Sequence, residues 1–146
     1  MITRRDIVVA VIAAACTGVL VMARQDKKSV MSSRAITWDS LTVEPTKVGE
    51  RRQVFQDPTP TLDELEIHIS TLAPGKSPHA PHQHVHEELL ILKEGTLETF
   101  QSGKTARVGP GAIIFQSSNE FHNVTNVGTT PATYFVIGWD SPGAKK

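Results

Sequence analysis

Hydrophobic and polar residues alternate along most of the chain after residue 35, with the two-residue period of half-buried strands. The clearest stretch is 64–72, where Leu65, Ile67 and Ile69 alternate with polar side chains. Residues 132–139 form a nearly continuous apolar run, which is typical of a strand buried on both faces. No window of this region carries the 3.6-residue repeat of a long helix. The pattern therefore predicts an all-β domain.

Glycine and proline divide this region into short segments. Ser102-Gly103-Lys104 predicts a hairpin turn, and Pro58 and Pro60 mark a loop before residue 64. The predicted strands are 36–43 and 51–56, which are the weaker candidates, and 64–72, 88–93, 97–101, 105–108, 112–116, 121–127 and 132–139. Many short antiparallel strands in about 110 residues predict a single sandwich or small barrel.

The N-terminus has the composition of a targeting segment. Residues 7–23 form an uncharged apolar run of 17 residues, which follows Arg4, Arg5 and Asp6. These features predict an export signal over 1–23, cleaved after Ala23, and the leader resembles a twin-arginine signal. The mature protein is then periplasmic or extracellular in a bacterium. Residues 24–34 are polar and predict a flexible linker, which leaves 35–142 as the folded domain.

Two other interpretations of the leader stay open. An uncleaved helix of 17 residues would just span a bilayer and tether the domain to the membrane. Residues 13–16 resemble a lipoprotein acylation box ending at Cys16, although the chain stays apolar after it. Without either anchor, we expect no stable membrane span once the signal is removed.

Charge and cysteine content exclude several functions. The chain carries 15 basic and 15 acidic residues, so its formal net charge is zero, which argues against a nucleic-acid partner steered by a basic face. One cysteine cannot form a disulfide framework or a thiolate zinc site.

The histidines are unevenly distributed. Four of the six fall within eight residues, namely His79, His82, His84 and His86. In a strand His82 and His84 point to one face, and Glu88 shares their parity on an apolar face, where a buried carboxylate needs a partner. With His122 they would give three imidazoles and one carboxylate, a set that suits a transition metal. The alternative is that these histidines are solvated in a surface loop.

Two motifs carry a family resemblance. Gly75-x6-His82-x-His84-x3-Glu88-x6-Gly95 resembles the first cupin motif, and Gly111-x5-Ser117-x-Asn119-x2-His122-x3-Asn126 resembles the second. Ser117 and Asn119 replace the usual proline and glycine, and asparagine tolerates the positive φ that glycine would adopt there. The chain is similar to small, single-domain, metal-binding cupins of the quercetinase-like, cupin-2 type.

The resemblance implies a jelly-roll barrel, a double-stranded β-helix. It also implies that His82, His84, Glu88 and His122 bind one divalent transition metal, which would be Mn, Fe, Ni or Zn. Four protein ligands leave two positions of a six-coordinate metal open to a small-molecule substrate. Because bound imidazoles must be neutral, we expect metal loss below roughly pH 6.5.

The function implied is an exported metalloenzyme, dioxygenase-like, that acts on a small organic molecule. The alternatives are an isomerase, decarboxylase or hydrolase, or a non-catalytic protein that binds a metal or small molecule. The resemblance also implies a homodimer that uses 36–43 and 51–56 as its exchange surface.

The remaining histidines are assigned separately. His86 is a candidate proton-transfer group, expected at the mouth of the cavity, and a role as a metal ligand is the alternative. His68 is a second candidate, but alternation puts it opposite the apolar face of its strand, at the surface or behind the ligands. The alternative is that His68 faces the cavity. His79 is interpreted as a loop residue.

Overall fold

The computed structural model describes residues 29–143, so the predictions for residues 1–28 lie outside the described part. A 3-10 helix, Trp38–Ser40, precedes nine strands. The strands are β1 (Glu44–Thr46), β2 (Gly49–Asp57), β3 (Glu64–Leu72), β4 (Glu87–Glu94), β5 (Leu97–Gln101), β6 (Lys104–Val108), β7 (Ile113–Gln116), β8 (His122–Asn126) and β9 (Ala132–Asp140). The seven predicted strands from 64 onward are each present, with ends that differ by no more than one residue.

The strands form two antiparallel sheets. The larger sheet has the order β1-β2-β3-β9-β4-β7, and the smaller has the order β6-β5-β8. β9 lies between β3 and β4 and pairs with both, which explains its apolar run. This arrangement confirms the all-β class and the jelly roll, with the strands hydrogen-bonded as two sheets instead of one closed barrel.

Apolar side chains from both sheets meet in the interior. Leu90, Leu92, Leu97 and Tyr134 are almost fully buried there, and Val124 packs with them from β8. Each fully buried leucine contributes about 1.5–3 kcal/mol to folding. The interior is therefore well packed around the middle of the strands.

The two faces of β3 are the reverse of what its alternation suggested. Ile67 and Ile69 line an apolar groove on the outer face of the larger sheet, together with Ile36, Trp38 and Phe135. On the other face of β3, His68, Ser70 and Leu72 line an interior cavity instead. The N-terminal segment packs over part of this outward apolar face.

That segment also explains why the strand predicted at 36–43 is wrong. Trp38 packs edge-on against Phe135, with 6.5 Å between ring centroids, and the Lys93 ammonium lies 4.2 Å from the centre of the indole ring. The Ser40 amide donates to the Thr37 carbonyl at 3.1 Å, which turns the chain into the 3-10 helix. The apolar residues of the segment thus contact the sheet from outside without joining it. The candidate strand 51–56 is correct and lies within β2.

Candidate metal centre

Backbone hydrogen bonds bring the two histidine motifs together. His82, in the loop before β4, pairs with His122 at the start of β8 through an isolated β-bridge. The His122 amide donates to the His82 carbonyl at 2.9 Å, and the His82 amide donates back at 3.2 Å. Asn119, with φ of +58°, donates its amide to the His84 carbonyl at 2.7 Å. The expectation of a positive φ at Asn119 is thereby confirmed.

Three imidazoles converge at this junction. The ring centroids are 5.2 Å apart for His82 and His84, 4.8 Å for His82 and His122, and 4.6 Å for His84 and His122. One nitrogen from each ring lies within 4.8 Å of the other two. The three residues named from the spacing of the motifs therefore form one cluster.

The nitrogens at the centre of the cluster have no hydrogen-bond partner. The Nδ1–H of His84 donates to the His86 carbonyl at 2.7 Å, and that of His122 donates to the Glu120 carbonyl at 2.8 Å. Because a carbonyl can only accept, each bond fixes the tautomer and leaves Nε2 with a lone pair. Both Nε2 atoms, and Nδ1 of His82, are buried without a partner.

Buried polar atoms without partners are costly. Backbone carbonyls fix the lone pairs of His84 and His122 on Nε2, and the partnerless Nδ1 of His82 lies beside them. Three such imidazoles can supply the donor set of a transition-metal site. The cluster could therefore hold a metal ion, and its chemistry fits the one implied by the motifs.

Glu88 lies at the edge of this cluster. Its Oε1 is 3.5 Å from His84 Nε2 and 3.1 Å from His86 Nε2, which donates to it. The His86 ring stacks on the His84 ring at 3.6 Å, with an angle of 3° between the rings. His84, His86 and Glu88 thus form a second group that shares one residue with the first.

The electrostatic environment keeps these groups in the states that a metal requires. Burial, and then the neighbouring imidazoles, lower the pKa of His82. Burial also lowers the pKa of His84, although Glu88 opposes this effect. Burial alone would raise the pKa of Glu88, but the hydrogen bond from His86 and the nearby imidazoles hold it below its ordinary value. These shifts favour the neutral rings of His82 and His84 and the charged carboxylate of Glu88.

A cavity of about 280 Å³ adjoins the cluster at Glu88. Its lining includes Arg51, His68, Ser70, Gln116 and Tyr134, but none of the three clustered histidines. A second cavity of about 370 Å³ shares Arg51, His68 and Glu88 with the first and opens beside His86. Glu88 and His68 therefore border both spaces, and the surface position expected for His68 is wrong.

Sequence reasoning missed the partners of His68. Glu66 accepts hydrogen bonds from His68, Arg51 and Gln53. Of these residues, Glu66, His68 and Arg51 line the second cavity. Glu66 could have been identified from the sequence as a partner of His68, since it lies two residues from His68 on the same face of a strand. Arg51 and Gln53 depend on the register between two strands, which the sequence does not display.

Three further titratable side chains lie at different places in the fold. His79 lies in the loop before β4, as expected, with its ring 4.0 Å from the His82 ring. Tyr134 is buried in the cavity wall, whereas Glu98 is exposed on β5.

No helix among the described residues 29–143 is long and apolar enough to cross a membrane.

The comparison with protein families agrees with this geometry. Residues 68–138, which include β3, both histidine motifs and most of β9, match the family model Cupin_2, described as a cupin domain. The chain belongs to the cupin superfamily. No curated protein sequence matches it.

Solved cupin structures share the fold of this cupin. An RmlC-like cupin from Shewanella frigidimarina superposes with a TM-score of 0.62 at 15% identity, covering 77% of this chain and 95% of its own. A cupin-superfamily sugar phosphate isomerase from Silicibacter pomeroyi superposes with a TM-score of 0.61 at 18% identity, covering 75% of this chain and 77% of its own. The polyketide cyclase RemF from Streptomyces resistomycificus superposes with a TM-score of 0.61 at 19% identity, covering 76% of this chain and 82% of its own. At these identities the likeness concerns the fold alone, since one fold hosts many chemistries.

Proposed function

We propose that this cupin is a metal-dependent enzyme that acts on a small organic molecule held in the cavity beside Glu88. The observation that carries the proposal is the convergence of three buried, partnerless imidazole nitrogens next to a lined cavity. The proposed ligands are His82, His84 and His122, with Glu88 as the fourth because its Oε1 already lies 3.5 Å from His84 Nε2.

The side chains of the cavity would bind and orient the substrate. Leu90 and Val136 supply apolar surface that excludes water, while Ser70, Gln116 and Tyr134 supply hydrogen-bonding groups. When bound, a divalent transition metal would supply Lewis-acid or redox chemistry. Glu88, which borders both the cavity and the cluster, would place the substrate next to that chemistry.

Dioxygenation is the reaction that we propose, because three imidazoles and one carboxylate suit iron or manganese. Both oxygen atoms would enter the product, so no external reductant is required. A second candidate is an oxygen-independent isomerisation or decarboxylation. The hydrogen-bonded pair of His68 and Glu66 in the cavity wall favours this candidate, since such reactions need a proton-transfer group.

Metal content tests the ligand assignment. The full-length protein is purified without chelators or a nickel column, and its metal per chain is measured by elemental analysis. We expect His82→Ala and Glu88→Ala each to lower the affinity for the metal by more than about 100-fold, beyond the usual effect of a residue that only supports a ligand.

The matched control for these variants is His79→Ala. It removes a neighbouring imidazole that lies outside the cluster, and it should keep the wild-type metal content. Full metal occupancy in His82→Ala, or equal loss in all three variants, would contradict the assignment.

Oxygen uptake distinguishes the reactions. The metal-loaded protein is offered phenolic, flavonoid and keto-acid compounds, with product formation followed in air and under nitrogen. Uptake that requires both metal and compound supports a dioxygenase, and metal-dependent product formation under nitrogen supports the second candidate. Ligand binding without any turnover across a wide panel would favour a non-catalytic binding protein.

We also propose that the protein is exported and acts as a homodimer. Support for export comes from the apolar leader at 7–23, which follows two arginines. The mature N-terminus of protein recovered from a periplasmic fraction tests it, and Arg24 is the expected first residue.

A further inference from the structure

We propose that His68 is the catalytic base of the cavity and that Glu66 positions it, which rests on the proposed function of the cavity as a substrate site. Neither residue belongs to the cluster of His82, His84 and His122 or to the loop that carries it.

The carboxylate of Glu66 fixes the tautomer of His68. The Nδ1–H of His68 lies 2.8 and 2.9 Å from the two oxygens of Glu66. A carboxylate accepts but does not donate, so in the neutral ring the proton is on Nδ1 and Nε2 has the lone pair. The structure shows no hydrogen-bond partner for Nε2 within the described residues 29–143. Because the side chain lines both cavities, this nitrogen is the one available to a bound molecule.

Glu66 is itself held in place from β2. Arg51 donates to its Oε1 at 3.0 Å, and Gln53 donates to the same atom at 2.8 Å. Burial alone would raise the pKa of Glu66, but the hydrogen bonds from His68 and Gln53 and the charge of Arg51 hold it below its ordinary value. A charged, rigid carboxylate behind an imidazole is the arrangement that orients a histidine base and stabilises its protonated form.

The proposed step is a proton transfer from a weakly acidic O–H or C–H of the substrate to His68 Nε2. The electron pair of the broken bond stays on the substrate, and the positive charge on the imidazole is stabilised by Glu66. The proton is returned to the product or to solvent in a later step, so the reaction needs no further reagent. Such a base contributes about 10²–10⁴-fold to a rate.

A probe reaction that needs only a base tests the role of His68. The probe is 5-nitrobenzisoxazole, a flat bicyclic compound of a size suited to this cavity. Loss of the proton from its isoxazole carbon forms a nitrile from the C–H electron pair, while the N–O bond breaks and leaves a coloured phenolate. We expect the full-length protein to exceed free imidazole at equal concentration. His68→Gln should lower the rate of the probe reaction at least about tenfold relative to the wild type.

The control for the base is Glu98→Gln, which removes an exposed carboxylate on β5 outside both cavities and should stay near the wild-type rate. Chelation of the metal should leave the probe rate unchanged, which separates this proposal from the metal-dependent function. An unchanged rate in His68→Gln, a wild-type rate no higher than that of free imidazole, or loss of the rate on chelation would overturn the proposal.

The role of Glu66 is tested by nitrogen NMR of the imidazole rings, with His68 assigned by comparison with His68→Gln. We expect the wild type to carry its proton on Nδ1. Glu66→Leu should shift the proton toward Nε2, and Glu66→Gln should keep it on Nδ1, since the amide oxygen still accepts. A wild-type ring protonated on Nε2, or a tautomer that Glu66→Leu leaves unchanged, would overturn the positioning role.

Discussion

At the scale of single residues, the candidate metal centre depends on which ring nitrogen carries a proton. The carbonyls of His86 and Glu120 hold the Nδ1–H of His84 and His122, so both rings present Nε2 to the same point. These carbonyls belong to residues only two positions away, and the local chain therefore orients the rings before any metal binds. Such support from outside the ligand set commonly raises metal affinity.

Acid should release the metal at a lower pH than free histidine would suggest. Burial lowers the pKa of His82 and of His84, so both rings stay neutral further into acid. We expect metal release with a midpoint below about pH 6.5, the ordinary value for histidine. Metal content after dialysis at a series of pH values measures it. Release already complete near neutral pH would show that burial does not protect the ligands.

The same shift makes the metal-free protein sensitive to acid. When the pKa of a histidine is lower in the folded state than in the unfolded chain, the unfolded chain binds the proton first as the pH drops. Protonation then stabilises the unfolded chain, so the free energy of unfolding falls as pH drops through about 6.5.

The only tyrosine of the chain gives a direct readout of the cavity. Burial raises the pKa of Tyr134 to about 12, with a hydrogen bond from Ser70 opposing and the charge of Glu88 adding to the effect. We expect the near-ultraviolet absorbance of tyrosinate to rise around pH 12, and near pH 10 in denaturant.

This shift also has a consequence for stability. Between the two pKa values only the unfolded chain ionises, so stability falls as the pH rises above about 10. A folded protein that titrates with the same midpoint as the denatured one would place Tyr134 in contact with water.

At the scale of elements, the strands position the site through their register. Each residue of β3 is opposite one of β9, from Glu64 with Asp140 to Leu72 with Ala132. That pairing sets the even face of β3 toward the cavity, where His68 lies. A slip of one residue would send this whole face to the outside of the sheet.

The turn between β4 and β5 requires glycine for reasons of space. Gly95 has a φ of +89°, and a Cβ there would lie 2.5 Å from the Cα of Ala132. Gly75 has a φ of +72° but no atom within 4 Å of such a Cβ. Gly75→Ala should therefore cost about 1–2 kcal/mol through backbone strain alone. Gly95→Ala should cost about 1–3 kcal/mol more because of the clash.

Urea unfolding measures both variants. It is run with a chelator present, since metal binding would add to the stability of the folded state. Equal losses for the two variants would mean that Ala132 moves aside without cost.

At the scale of the whole molecule, the larger sheet carries apolar residues on both faces. Its inner face packs against the smaller sheet, and its outer face carries the groove of Ile67, Ile69 and Phe135 beneath Trp38. The segment 36–41 covers this groove only in part, since Ile36 and Trp38 remain more than one-third exposed. An apolar surface of this kind is a common feature of subunit interfaces.

This surface leads to a prediction about assembly. We expect the chain from residue 24 onward to sediment as a dimer and Trp38→Ala to weaken the association at least about tenfold, because hot-spot tryptophans at interfaces contribute most. Phe121→Ala is the control, since Phe121 is exposed but does not line the groove. A monomeric wild type, or equal weakening by both variants, would place any interface elsewhere.

The sequence by itself determined the strands from β3 onward and the residues of the histidine cluster. Periodicity and the spacing of the motifs are local properties of the chain, so they could be found without coordinates. The candidate ligands His82, His84 and His122 follow from the two motifs, and the structure brings these three residues together.

The tertiary structure decided what depends on contacts between distant segments. The bridge between His82 and His122 joins residues 40 positions apart, and the support of Glu66 by Arg51 comes from the register of β2 on β3. Segment 36–41 packs on the outer face of the larger sheet, against the apolar face of β3. His68 therefore faces the cavity, which is the opposite of the expected arrangement. Burial of one face by a remote segment is not encoded in the alternation of a single strand, because either face can be the buried one.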